Sequence, residues 1–161
     1  MCNSCSCTED LPQKFSVYTK PSGENAKRPI REQAYMMHAM QMAELATCDR
    51  LKVGAVFTDA KMMRVLCSGY NGSYAGGPNG CDSNEPGNCG CIHAEVNSLV
   101  KSRDDLQGSI CFVTVSPCEQ CSKILVNRGV SRVIYLNSYR KSTGLDILRS
   151  SGIEVIKYVD L

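Results

Sequence analysis

The chain has 161 residues, of which 43% are hydrophobic and 21% charged, and its formal net charge is +2. That length suits one domain with a substantial core, and so modest a charge argues against a dedicated nucleic-acid-binding surface. No apolar run approaches the roughly 18 residues of a membrane span. The opening MCNSCSCTEDLP has neither a basic region nor an apolar core, so no secretory signal is expected and the expected compartment is the cytoplasm, without a membrane partner.

Residues 1–30 are polar and carry Pro12, Pro21, Gly23 and Pro29, which reads as a loosely ordered arm before a domain over 31–161. From Arg31 to Cys48 the pattern is helical, with Met36, Met40 and Ala43 at i, i+4 and i+7, a core-facing stripe. Lys52–Thr58 and Met63–Tyr70 are apolar, β-rich runs flanking Asp59, Ala60 and Lys61, which predicts an antiparallel hairpin. Asn71 to Cys91 is crowded with Gly, Asn and Pro, and a loop of that length in a compact domain is usually functional or stapled. The remainder predicts a helix over His93–Arg103, a strand over Ile110–Val115, a helix over Pro117–Arg128, a strand over Arg132–Leu136, a helix over Thr143–Ser151 and a strand over Ile153–Tyr158. Strand–helix–strand units with short connections favour parallel pairing and right-handed crossovers. The expected fold class is α/β: a three-layer α/β/α arrangement around a mixed sheet of about five strands.

Eleven cysteines and only two histidines, His38 and His93, stand in the chain. An odd cysteine count without a secretion signal points to metal binding or buried thiols and not to a disulfide framework. Cys67 and Cys111 fall inside apolar strands and read as small buried hydrophobes. Cys2, Cys5 and Cys7 lie in the arm and carry no assignment.

The chemistry concentrates in two segments. Cys91, Ile92, His93, Ala94 and Glu95 open one predicted helix, and Ser116, Pro117, Cys118, Glu119, Gln120 and Cys121 open the next. Pro117 suits the first helical position and Ser116 the N-cap. Cys118 and Cys121 then share one face of the first turn, where the helix N-terminus favours thiolates. One nitrogen and two sulfurs leave the fourth tetrahedral position of zinc open to water, the catalytic pattern, and zinc lowers the pKa of such a water to about 7. Glu95, two residues past His93, is placed to accept the proton of that water and hand it on. A backbone N–H of Ala94 or Glu95, free at the helix start, is available to a base carbonyl. The alternative is a closed zinc knuckle, which would need a fourth protein ligand and leave Glu95 without a task. H-x-E followed by P-C-x-x-C is an established zinc deaminase signature.

With these motifs, the sequence resembles the deoxycytidylate deaminase branch of the cytidine and deoxycytidylate deaminase superfamily over about residues 31–158. Further markers are Val53, Gly54, Ala55 and Val56 on the first strand and Gly69, Tyr70, Asn71 and Gly72 closing the second. The resemblance implies the cytidine deaminase-like fold and hydrolysis of dCMP to dUMP and ammonia, supplying thymidylate synthesis. It implies a sugar contact from Asn71, beside which stands a plain turn reading of Asn-Gly, and a place near the base for Tyr139, beside which stands a surface tyrosine. Ala94 and Ser116 join them as substrate-contact candidates. Arg31, Lys52, Lys101, Arg103 and Arg140 are candidates for the phosphate. A homohexamer is implied, with activation by dCTP, accompanied by Mg2+, and inhibition by dTTP, through the region of Gly69, Tyr70 and Gly72. The resemblance also implies a second, structural zinc on Cys48, Cys81, Cys89 and Cys91; spacing alone leaves four unlinked thiols equally open. Deamination of dCTP, cytidine, a pterin precursor or a base in transfer RNA, and an inactive zinc-stabilised interaction module, remain as alternatives.

Overall fold

The computed structural model describes residues 29–85 and 88–160; the arm over 1–28, with Cys2, Cys5 and Cys7, lies outside the described residues. Helix α1 spans Arg31–Glu44, and the strands β1 (Gly54–Thr58) and β2 (Val65–Tyr70) follow. Then come α2 (Ala94–Lys101), β3 (Ile110–Val115), α3 (Glu119–Asn127), β4 (Arg132–Asn137), α4 (Thr143–Ser150), β5 (Glu154–Lys157) and a short 3-10 turn over Tyr158–Asp160. The five strands form one mixed sheet in the order β2-β1-β3-β4-β5. β1 pairs antiparallel with both β2 and β3, and β3–β4 and β4–β5 are parallel.

Alternation along the strands divides the core in two. Ala55, Phe57, Cys111, Val113, Val133 and Tyr135 face one side, where Leu99 of α2, Leu125 of α3 and Leu148 of α4 cover them. Val56, Ile110, Phe112 and Ile134 face the other, where Met36 and Ala39 of α1 pack. A period of two thus gives three layers. Cys111 is buried as expected, whereas Cys67, on the edge strand β2, is half-buried.

α1 can approach the sheet closely because Gly54 has no side chain: a Cβ there would collide with the backbone carbonyl of Ala39. The Met36 and Ala43 positions are fully buried and Met40 partly so, in keeping with a core-facing stripe. The helix stops at Glu44, short of the predicted Cys48. The N–H of Leu45 turns back to the Met42 carbonyl at 3.1 Å, and residues 46–48 leave the helix as a connection.

The hairpin is tighter in pairing and longer in loop than the sequence suggests. Asp59 takes over the turn, accepting the backbone N–H groups of Met63 and Arg64 on Oδ1 at 2.7 Å each. Two residues predicted at the start of each strand, 52–53 and 63–64, therefore belong to connections. Beyond β2, Gly72 and Ile92 form an isolated bridge, so the cysteine-bearing loop leaves and returns at one point.

Candidate active site

In a parallel pair the carboxyl ends of the strands lie side by side, and the loops that follow share one end of the sheet. Here Val115 at the end of β3 is paired with Asn137 at the end of β4. Because β1 runs the opposite way, its first residue, Gly54, arrives at the same end and donates its N–H to Thr114 Oγ1 at 3.2 Å. Arg50, Leu51, Val53, Asn71, Val115, Ser116, Cys118 and residues 137–140 therefore meet there with the start of α2, around a cavity of about 500 Å³. That volume falls in the range of small-molecule sites.

His93 and Cys118 occupy equivalent places: each is the N-cap of its helix, with extended backbone, and each carbonyl accepts the first helical N–H, from Asn97 and Ser122 at 2.9 Å. This corrects the assignment of Ser116 as N-cap and Pro117 as first helical residue. Ser116 is still held by the sheet, its N–H donating to the Asn137 carbonyl at 2.8 Å and its Oγ accepting the Tyr139 N–H at 2.7 Å. The chain becomes helical only after Pro117. Cys118 as N-cap and Cys121 one turn later still present their sulfurs together.

His93 Nδ1 lies 3.4 Å from Cys118 Sγ and 3.4 Å from Cys121 Sγ. Tetrahedral zinc, with Zn–S near 2.3 Å and Zn–N near 2.05 Å, sets nitrogen and sulfur donors about 3.6 Å apart. The donor set and its spacing fit that metal, and no fourth protein ligand joins this group among the described residues. The Cys118 thiol is pushed down to about 4, chiefly by a hydrogen bond from the Cys121 thiol and, against burial, by His93. His93 is raised by its bond to Cys118.

Glu95, at the second position of α2, is 4% exposed and lines the cavity beside His93. Burial pushes its carboxyl above the usual carboxylate range, the direction that suits a group exchanging protons near neutral pH. At a helix start the first backbone N–H groups have no intrahelical partner, and Ala94, the first residue of α2, borders the same cavity.

The other named residues separate. Asn71, Ala94, Ser116, Tyr139 and Arg140 line the cavity. The Asn71 amide also works within the fold, donating to the Leu51 carbonyl at 2.6 Å and accepting the Val53 N–H at 2.7 Å. Gly69 and Gly72 are close-approach positions, against Ser98 and Thr47 respectively, and Tyr70 carries the Lys101 ammonium 5.8 Å over its ring. Four of the five basic candidates are absent from the cavity wall: Lys101 sits over Tyr70, Arg31 bonds the Lys61 carbonyl at 3.2 Å, and Lys52 and Arg103 are exposed elsewhere. Instead Arg50, not among them, lines the cavity with Arg140. Its signal in the sequence is its place between Cys48 and the start of the first strand.

A second cluster adjoins the first. Cys48 Sγ is 3.5 Å from Cys81 and 4.0 Å from Cys89, and Cys81 is 3.8 Å from Cys91. Sulfurs around tetrahedral zinc lie about 3.8 Å apart. Cys48, Cys89 and Cys91 also reach the cavity wall.

The fold and these donors define a zinc-binding deaminase class. The sequence profile described as "Cytidine and deoxycytidylate deaminase zinc-binding region" matches residues 29–137, and the chain belongs to this family. Its fold is that of a cyanophage S-TIM5 dCMP deaminase solved in complex with dCMP and dUMP: TM-score 0.73, 37% identity, 81% of this chain and 98% of that one covered. A deoxycytidylate deaminase of a Mycobacterium phage is 35% identical over 67% of this chain and 95% of its own length. The deoxycytidylate deaminase of Saccharomyces cerevisiae is 31% identical over 81% of this chain, which spans 46% of the yeast enzyme. No described helix is long and apolar enough to cross a membrane.

Proposed function

We propose that the chain hydrolyses dCMP to dUMP and ammonia. One observation carries this reading: a buried glutamate lines a nucleotide-sized cavity together with His93 and Cys118, which with Cys121 behind them are spaced for zinc. The dCMP and dUMP bound by the S-TIM5 relative support the substrate, at 37% identity over most of both chains. His93, Cys118 and Cys121 would hold the ion, which when bound supplies a Lewis acid that brings the pKa of water toward ~7.

The rest is the work of the chain. Ala94 N–H, at the start of α2, holds the base carbonyl. Glu95 removes a proton from water and delivers it to ring N3, so that C4 becomes open to addition. The hydroxide left behind adds to C4; the Glu95 carboxylate then takes the proton of that new C4 hydroxyl and passes it to the exocyclic nitrogen, which leaves as ammonia while C4 becomes a carbonyl. Water gains no other partner, so atoms balance: one water in, one ammonia out. Tyr139 and Asn71 flank the base and sugar, and the paired guanidinium groups of Arg50 and Arg140 meet the 5′-phosphate.

Cys48, Cys81, Cys89 and Cys91 would hold a second, structural zinc; four sulfurs at tetrahedral spacing form a closed site. Family membership further supports supply of thymidylate synthesis in the cytoplasm, a hexamer, and control by dCTP with Mg2+ and by dTTP near Gly69, Tyr70 and Gly72. Ammonia release from dCMP, dCTP, cytidine and a transfer RNA, with and without dCTP as effector, tests the reading. Turnover should be greatest on dCMP; equal or faster turnover of cytidine or of transfer RNA would overturn it.

A further inference from the structure

Residues 48–50 form a short tether between the four-cysteine cluster and the cavity wall, and each of its side chains grips the cysteine-bearing loop. Cys48 gives a sulfur to the four-thiol cluster. Asp49 Oδ2 accepts the backbone N–H of Cys81 at 3.2 Å. Arg50 donates from its guanidinium to the carbonyl of Asn84, three residues past Cys81. Immediately afterwards the chain enters the cavity: Leu51 and Val53 line it and are clamped by the Asn71 amide. Arg50 itself is exposed on that wall.

An exposed arginine ordinarily samples many rotamers, and ordering it on a ligand costs entropy. Anchoring one guanidinium N–H to a carbonyl removes much of that freedom beforehand and aims the remaining donors. The anchor is only as fixed as the loop that carries it. Apart from the Gly72–Ile92 bridge, no strand or helix orders the described residues between β2 and α2. The cysteines, with Asp49, therefore supply the rigidity that the backbone does not.

We propose that the four-cysteine cluster is a specificity device, which positions Arg50 for the phosphate and thereby selects nucleotide over nucleoside. The inference rests on the nucleotide reading of the cavity given above. Arg50 touches the ligand; Asp49 and the four cysteines are positioning residues that act through it.

The test compares affinities for the product dUMP and for deoxyuridine, which lacks the phosphate, by calorimetry on the full, zinc-loaded chain, with metal content measured for each variant. Arg50→Ala should lower the dUMP-to-deoxyuridine affinity ratio roughly tenfold, the size of one hydrogen bond to a charged group. Asp49→Ala and Cys81→Ser should lower the same ratio severalfold, and Asp49→Asn, which keeps an acceptor oxygen, should restore it. In an Arg50→Ala background, Asp49→Ala should change the ratio no further, because a residue acting only through Arg50 has nothing left to position. An unaltered ratio in Asp49→Ala, or an equal loss with and without Arg50, would overturn the coupling even if Cys81→Ser fails to fold. An unaltered ratio in Arg50→Ala would overturn the phosphate assignment itself, a separate failure with a separate signature.

Discussion

Two sulfur-rich clusters sit on one cavity, yet they are built from opposite materials. His93, Cys118 and Cys121 stand at the starts of α2 and α3, whose positions the sheet and its core already determine. Cys48, Cys81, Cys89 and Cys91 stand on a helix exit and a long loop, where no strand or helix holds them and the sulfurs share the task with the hydrogen bonds of Asp49 and Arg50 to the loop. In the first cluster the fold orders the ligands. In the second the ligands order the fold. Three donors also leave a coordination position free where four do not, so the first suits reaction and the second suits scaffolding.

The largest effect should come from the first cluster. Cys118→Ser should remove one zinc per chain and all measurable ammonia release while leaving the melting temperature nearly intact, since α3 and the sheet do not need that ligand. Metal analysis beside calorimetry checks both halves, and a collapse of the fold would erase the distinction drawn here.

Cys81→Ser should do the reverse in structural terms. One zinc per chain is lost, the other stays, and the melting temperature falls by on the order of 10 °C, as several kcal/mol of metal-linked ordering disappear. Unchanged metal content in this variant would remove the second site from the account.

A smaller effect sharpens the boundary between fold and site. Ser116→Ala leaves the Tyr139 N–H without its 2.7 Å acceptor, which should destabilise the protein by about 1–3 kcal/mol. Loosening the 137–140 segment should also raise KM severalfold with kcat little changed. Denaturant unfolding and steady-state kinetics on dCMP separate the two; a lowered kcat with unchanged KM would place Ser116 in the chemistry and not in the wall.

Much of this was legible in the sequence where a physical period or a fixed spacing carries it. Near-continuous apolar runs in residues 54–58, 110–115 and 132–136 mark strands buried on both faces, and H-x-E with P-C-x-x-C marks the segments that bear the candidate ligands. Less legible was whatever depends on a partner distant in sequence. Ser116 has the residue type of an N-cap, but its hydroxyl is claimed by Tyr139, 23 residues on. Arg50 carries no motif, and only the folded tether brings it to the cavity while Lys52, two residues away, is left outside. Helix α1 ends early without a glycine or proline to announce it, because residues 46–48 are drawn instead toward the Asn71 carbonyl and the cysteine loop.

The most direct measurement concerns Glu95, whose carboxyl the whole chemical proposal places between water and base. Glu95→Gln keeps its size and its place against His93 and removes only its ability to move a proton. Zinc content should stay at that of the wild type and dUMP should still bind, while ammonia release from dCMP falls by about 10²–10⁴-fold, the scale of general acid–base catalysis. Turnover within a fewfold of wild type, with metal content unchanged, would contradict the account.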